Sequence, residues 1–428
     1  MFNRIKTMLP IAIKKKSVKN GIWMYLLQFF NMVVPLLTIP YITRILGAEK
    51  YGVFSIALNV ITYLQVIVEY GFGMSATRKV ALHGREGLNK TFSAVIVSRF
   101  ILLVFCTLFA FIYCFLNRDN TDLCYSLWCL FICLFGYCFQ MNWLFQGMQE
   151  MQYISVVNIV ARLISVILIF AFVRNLSDIY KYCILYAISP FLSGIMGFII
   201  SKKRFEIHYQ IVSILDVWKE LKDGFYVFTT QLSSKVFGIV GITFLGIYAS
   251  QYIVGTYSAI QKITNVMILC WMPISQVMYP ITSKYMQISF TDGCQFVNKI
   301  RKIVLPLFAA ISVLFAIFSK QIVTISFGEG YAQYSYWLIP LLIWVIVAIS
   351  NNFWGIQILL GSGNDSIYGK CFQFGVVITI LLNYVLVYFF KGTGAAVAPV
   401  LSEIILSVLL VWNIRKLKSR EIRNRNTG

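Results

Sequence analysis

Runs of about twenty apolar residues recur from one end of this chain to the other, and that recurrence limits what it can fold into more than any other feature. A helix needs ~20 residues to cross the hydrocarbon of a bilayer. The approximate runs, with ends set to within several residues, are Gly21 to Tyr41, Gly52 to Gly73, Thr91 to Leu116, Leu123 to Gln146, Tyr153 to Val173, Ile179 to Ile200, Gly224 to Ala249, Ile253 to Pro280, Ile303 to Phe318, Trp337 to Leu360, Phe372 to Phe390, and Gly394 to Ile414. With 59% of 428 residues hydrophobic and 12% charged, one core could not hide the apolar surface from water. The chain therefore reads as an all-α integral membrane protein of twelve spans. The short alternating segments of a membrane barrel are not its pattern.

Lysine and arginine set the orientation, because short loops rich in them stay cytoplasmic. With the N-terminus inside, twenty-six of the 37 basic residues fall on that side. They lie in the N-terminal tail, at Arg78, Lys79, Arg85 and Lys90, in the interval after Ile200, at Lys284, Lys299, Arg301 and Lys302, at Lys370, and in the tail from Arg415. Only Arg44, Lys50, Arg118, Arg174, Lys181, Lys320 and Lys391 fall opposite. Both termini are expected in the cytoplasm. The net charge of +21 is then this inside bias plus attraction to anionic headgroups, and needs no nucleic acid. The first run has a basic start like a signal peptide, but it is too long and lacks a small-x-small cleavage site, so it reads as a retained helix.

The longest polar interval, between Ile200 and Gly224, divides six spans from six. It sets an N-terminal lobe of residues 1–210 against a C-terminal lobe of 211–428. Ser213-Ile-Leu-Asp216 within it resembles a capping box, and an interfacial helix is expected there with Ile214, Leu215, Trp218 and Leu221 toward lipid. Internal similarity supports two halves. Gly52 and Ser55 after the first span match Gly255 and Ser258 after the seventh, and Gln146-Gly147 matches Leu360-Gly361. Six spans per half, starting on one side, make parallel repeats, and substrate paths commonly run at repeat interfaces.

Four cations, Arg99, Arg162, Lys235 and Lys262, fall inside spans, against two similarly placed acids, Glu69 and Glu403. A charge at a helix centre costs roughly 2.5 to 3.5 kcal/mol on insertion scales, less if it meets water or a counter-charge. Arg99 and Glu69 sit toward the cytoplasmic ends and could pair with each other. Glu403 could serve as a counter-ion for a lysine or as a ligand for a coupling proton or Na+. Polar residues at helical spacing mark faces: Gln28, Asn31, Pro35 and Thr38; Ser55, Asn59, Thr62 and Glu69; Ser155, Asn158, Arg162 and Ser165; Gln231 and Lys235; Ser258, Lys262 and Asn265; Pro399, Glu403 and Ser407. Such faces meet either a neighbouring helix or water.

Several classes are disfavoured. The ten cysteines are scattered without a CxxC pair, so disulfide or metal use is not expected. His83 and His208 both fall in loops, which leaves no intramembrane histidine relay. No phosphate-cradling glycine loop or Ser/His/Asp set is present, and the short loops supply no ATPase domain, so the chain does not read as an enzyme or an ATP-driven pump. No cofactor is implied beyond coupling to an H+ or Na+ gradient. A cation-coupled multidrug exporter is the alternative, although its site should favour acids.

Arg44-Ile-Leu-Gly47-Ala-Glu-Lys-Tyr51-Gly52 resembles the signature after the first span of the Wzx-type polysaccharide repeat-unit flippases, in the multidrug/oligosaccharidyl-lipid/polysaccharide exporter superfamily. Trp143-Leu-Phe-Gln-Gly147-Met-Gln-Glu-Met and Val254-Gly255-Thr-Tyr-Ser258-Ala-Ile-Gln-Lys262-Ile are similar to the same family. The resemblance implies a MATE-like fold of two six-helix lobes, alternating about a cationic central cavity in the bacterial inner membrane. Its cargo would be an undecaprenyl-diphosphate-linked oligosaccharide of O-antigen or capsule biosynthesis, moved to the periplasmic leaflet. The candidate partners are that lipid, membrane lipids, and polysaccharide polymerase and chain-length machinery.

Overall fold

A computed structural model describes residues 11–427, with side chains described for 19–419 and for Glu421. Arg4 and Lys6 of the basic N-terminal tail lie outside the described residues. All regular structure among the described residues is helical. The α-helical elements are α1 (Ile11–Glu69), α2 (Phe72–His83), α3 (Leu88–Leu116), α4 (Thr121–Phe139), α5 (Asn142–Gly147), α6 (Met151–Phe172), α7 (Ile179–Phe205), α8 (Ile214–Tyr248), α9 (Gln251–Ile288), α10 (Phe290–Ile317), α11 (Ser319–Phe327), α12 (Glu329–Ala332), α13 (Leu338–Asn352) and, after a π-helical stretch at Phe353–Leu360, α14 (Asp365–Thr427).

Among the described residues ten helical stretches are long and apolar enough to cross a membrane. Two of them, Lys19–His83 and Asp365–Ser419, hold 65 and 55 residues, far more than one crossing requires. Each bends at a non-helical residue, Gly47 (φ 66°, ψ 171°) in α1 and Lys391 (φ 49°, ψ −123°) in α14. Both bends fall in the short intervals that hydropathy leaves between consecutive apolar runs.

The chain groups into two compact units. One takes the chain up to Thr38 together with Ile56–Lys235, the other Ile39–Ser55 together with everything from Val236 onward.

In the first unit, Phe72, Phe92, Trp143, Leu144, Phe145 and Phe205 form an aromatic-rich core. Helices α4 and α7 approach so closely that a Cβ on Gly136 would meet the Pro190 carbonyl oxygen at 2.3 Å. One on Gly194 would meet the Gly136 oxygen at 2.2 Å. Small residues permit this because helix association in lipid relies on close van der Waals contact rather than on expelling water.

The polar interval behaves differently from the expected separate interfacial helix. Ser213 and Asp216 do form the reciprocal cap, Ser213 N–H donating to Asp216 Oδ2 at 3.2 Å and Asp216 N–H to Ser213 Oγ at 3.2 Å. The helix then runs unbroken past Gly224 to Tyr248. Nothing stops it, because Gly224 is packed against Tyr70 and keeps helical geometry. Ile214, Leu215 and Trp218 are exposed and Leu221 is half-buried. On the other face Lys90 pairs with Asp216 at 2.7 Å, and Lys79 pairs with Glu220 and Asp223 at 2.8 Å each.

In the second unit the Ile39–Ser55 bend is held by every distinctive residue of its motif. Gly47 adopts a conformation that essentially only glycine tolerates. Leu46 and Tyr51 are buried, Arg44 Nη2 donates to the Ile325 carbonyl, and Tyr331 Oη donates to the Thr43 carbonyl at 3.3 Å. Gly52 lies against α9, where an added Cβ would sit 1.8 Å from the Gln251 oxygen. A Cβ on Gly255 would sit 1.8 Å from the Ala48 oxygen.

Candidate functional site

The charged residues within the spans group by unit. In the first, Gln65 Nε2 donates to Glu69 Oε1 at 3.0 Å, and Glu69 lies within electrostatic reach of both Arg99 and Tyr137. Arg99 is 3% exposed. Its Nη1 donates to the carbonyls of Gln140 at 2.7 Å and Cys138 at 3.3 Å, and its guanidinium stands 5.8 Å over the Phe72 ring.

The reason lies in the backbone. α4 ends at Phe139, Gln140 is extended, and α5 begins at Asn142, so the last carbonyls of α4 lose their helical partners. At membrane depth no water replaces them, and an unsatisfied carbonyl would be costly. Arg99 supplies the missing donors. Arg99 and Glu69 thus share one polar cluster, with the arginine bound mainly to backbone.

Arg162, half-buried on α6, reaches the phenols of Tyr137 and Tyr186 electrostatically. Its stripe neighbours are used for helix packing: Ser155 Oγ donates to the Trp23 carbonyl and Ser165 Oγ to the Leu185 carbonyl, both at 2.7 Å. Gln28, Asn31 and Gln231 are half-buried and Asn59 is buried. Lys235 is exposed on α8. Among the described residues no carboxylate pairs with Arg162 or Lys235.

In the second unit Lys262 and Asn265 are half-buried on α9, three residues apart and therefore on one face. Glu403 is buried on α14, and its partners are neutral. Asn351 Nδ2 donates to Glu403 Oε2, Trp344 hydrogen-bonds the carboxyl, and Ser407 Oγ donates to Asn351 Oδ1.

Sequence reading missed the rest of this network. Gln357 Nε2 donates to Ser275 Oγ at 3.0 Å and Thr282 Oγ1 donates to Gln357 Oε1 at 2.8 Å, while Ser275 Oγ donates to Asn352 Oδ1 at 2.7 Å. The adjacent Asn351 and Asn352 within an apolar run were the available signal. They stand where the helix widens to π geometry, an insertion often found at functional positions. Arg301 was also missed. The hydropathy places it in a loop, whereas α10 starts at Phe290 and puts Arg301 well inside it. Its guanidinium stacks 4.1 Å over Trp354, and Nη1 donates to Ser350 Oγ at 3.3 Å.

A cavity of about 370 Å³ in the first unit is lined by Lys79, His83, Lys90, Asp216, Lys219 and Glu220 among others. Two of its lysines are already neutralised by the ion pairs with Asp216 and Glu220, so it does not offer a concentrated positive field.

Residues 17–286 match the family model described as "Polysaccharide biosynthesis protein". That match spans more than half of the chain. The chain belongs to the polysaccharide biosynthesis protein family. All three motif stretches of the sequence lie within the matched region. This polysaccharide biosynthesis family chain is also 27% identical over 402 residues, 94% of its own length and 97% of the relative's, to a protein of Escherichia coli (strain K12) named "Putative O-antigen transporter". Two solved structures share its fold. One is "Lipid II flippase MurJ, inward closed conformation", with TM-score 0.73 and 14% identity, covering 93% of this chain and 87% of that one. The other is an inward-facing "multidrug resistance MATE family transporter of the MOP superfamily", with TM-score 0.70 and 14% identity, covering 90% and 96%. The polysaccharide biosynthesis family chain is therefore a multi-pass membrane protein with a MATE-like transporter fold.

Proposed function

We propose that the protein flips an undecaprenyl-diphosphate-linked oligosaccharide repeat unit from the cytoplasmic to the periplasmic leaflet of the bacterial inner membrane by alternating access. The observation that carries this reading is that Arg162 and Lys235, two cations at membrane depth in the first unit, have no carboxylate partner among the described residues. A diphosphate brings about two negative charges, and a low-dielectric wet chamber makes their neutralisation by lysine and arginine strong. The prenyl tail stays in lipid while the sugar crosses hydrated space, which avoids burying unpaired hydroxyls. Family membership and the name of the Escherichia coli relative support this cargo over a drug.

In this reading both termini are cytoplasmic, and twelve crossings arise when the stretches bent at Gly47 and Lys391 each cross twice. Arg99 has a positioning role, holding the α4–α5 break. Glu403 is the candidate for binding the coupling ion.

Surface polysaccharide measured at matched protein levels tests the proposal. Lys235→Ala and Lys262→Ala each lower export, and the double variant abolishes it. Undiminished export by the double variant removes both lysines from the cargo site.

A further inference from the structure

Cys114 and Cys124 are ten residues apart and carry no motif, yet the hairpin of α3 and α4 brings them together. Cys124 Sγ lies 3.6 Å from the Cys114 carbonyl oxygen and 3.5 Å from that of Asn117, and the two thiols are within hydrogen-bonding reach of each other. The turn that aligns them is fastened on both sides. Asn117 Nδ2 donates to the Tyr113 carbonyl at 2.8 Å, and Asn120 Oδ1 accepts from Leu123 N–H at 3.2 Å as the cap of α4. Both cysteines are partly exposed, whereas Cys106, Cys133, Cys138 and Cys183 are buried. Alternation of the spans, fixed by the excess of lysine and arginine on the side of the chain termini, puts this turn and its single Arg118 on the opposite side.

We propose that Cys114 and Cys124 form a disulfide that staples the α3–α4 hairpin at the outer face of the membrane. The inference rests on the orientation proposed above, since the periplasm sustains disulfides and the cytoplasm does not. The oxidant is the disulfide of a periplasmic thiol oxidase. One cysteine, as thiolate, attacks a sulfur of that disulfide and releases one oxidant thiol. The second cysteine then attacks the mixed disulfide and releases the other thiol. Two protein thiols become one S–S bond, and the oxidant's disulfide becomes two thiols. Spacing along the chain gives no sign of this pairing, because a disulfide depends on distance in space, which the tight turn supplies.

The test is differential alkylation of the full-length protein from cells with an oxidising periplasm. Free thiols are blocked under denaturing conditions, the sample is reduced, and newly freed thiols receive a heavier reagent before peptide mass spectrometry. Cys114 and Cys124 are expected to carry the second label together. In Cys114→Ser the remaining Cys124 takes the first label, and Cys124→Ser behaves reciprocally. The first label on both cysteines of the unaltered protein overturns the disulfide. Arg118→Cys, placed in the double serine variant and probed in intact cells with a membrane-impermeant maleimide, separates the two layers of the argument. Labelling at residue 118 leaves the orientation standing whatever the thiols do, and protection there overturns orientation and disulfide together.

Discussion

Gly52 of α1 and Gly255 of α9 pack face to face, with each position lacking room for a single added carbon: the Gln251 oxygen is 1.8 Å from one missing Cβ and the Ala48 oxygen 1.8 Å from the other. These two glycines also occupy matching places in the weak internal repeat of the sequence. The close approach of the two helix backbones explains why both positions are glycine.

Gly255→Val should force α1 and α9 apart. Overpacking of this kind costs roughly 1–3 kcal/mol or more. The melting temperature of detergent-purified protein should fall, with a matching loss of folded yield. An unchanged melting temperature would mean that the helices yield freely at this point.

Gly47→Ala tests the bend itself. The φ of 66° with ψ of 171° lies where side chains are strained, at a cost of about 1–3 kcal/mol. Thermal unfolding should show a stability loss of that order although the substitution adds only a methyl group, and Gly47→Val should be no milder.

Arg99 is expected to act on folding rather than on cargo. Arg99→Met leaves the Cys138 and Gln140 carbonyls without their donor, at about 1–3 kcal/mol for each buried group left unpaired. Arg99→Lys keeps the charge but cannot span both acceptors in the same way, so it should rescue only part of the loss. Equal export per folded molecule in Arg99→Lys and the unaltered protein is the expected result, and a selective export defect at full stability would reassign Arg99 to the cargo.

The pairs from Lys79 to Glu220 and Asp223 tie α2 to the start of α8. Lys79 is partly exposed, so each pair contributes at most ~1 kcal/mol. Lys79→Glu places three acids together and should destabilise the first unit, and adding Glu220→Lys should restore much of the loss. Thermal unfolding of the two single variants and the double variant gives the coupling directly, and simple additivity would show that the ion pair does not matter.

Glu403 separates hydrogen bonding from ionisation. Glu403→Gln retains an oxygen to accept from Asn351, so the fold should hold, whereas Glu403→Leu leaves Asn351 Nδ2 only the main-chain carbonyl of residue 403, so one N–H loses its acceptor at about 1–3 kcal/mol. If the carboxyl binds the coupling ion, transport by Glu403→Gln in proteoliposomes should lose its response to an imposed gradient. A full response would remove Glu403 from coupling.

The membrane class, the all-helical fold and the positions of most spans followed from the sequence because hydropathy over ~20 residues is a local property that the bilayer reads directly. The cap at Ser213 and Asp216 and the bend near Gly47 were likewise legible, since their chemistry is contained within a few neighbours. Tertiary structure alone decided what each polar residue does. Arg99 and Arg162 look alike in their apolar runs, yet one is held by the carbonyls of a broken helix and the other stands among phenols. Arg301 gained a stacking partner because Trp354, on a different helical segment far along the chain, came to lie beneath its guanidinium. A side chain's partners are set by contacts distant along the chain, and no local pattern records them.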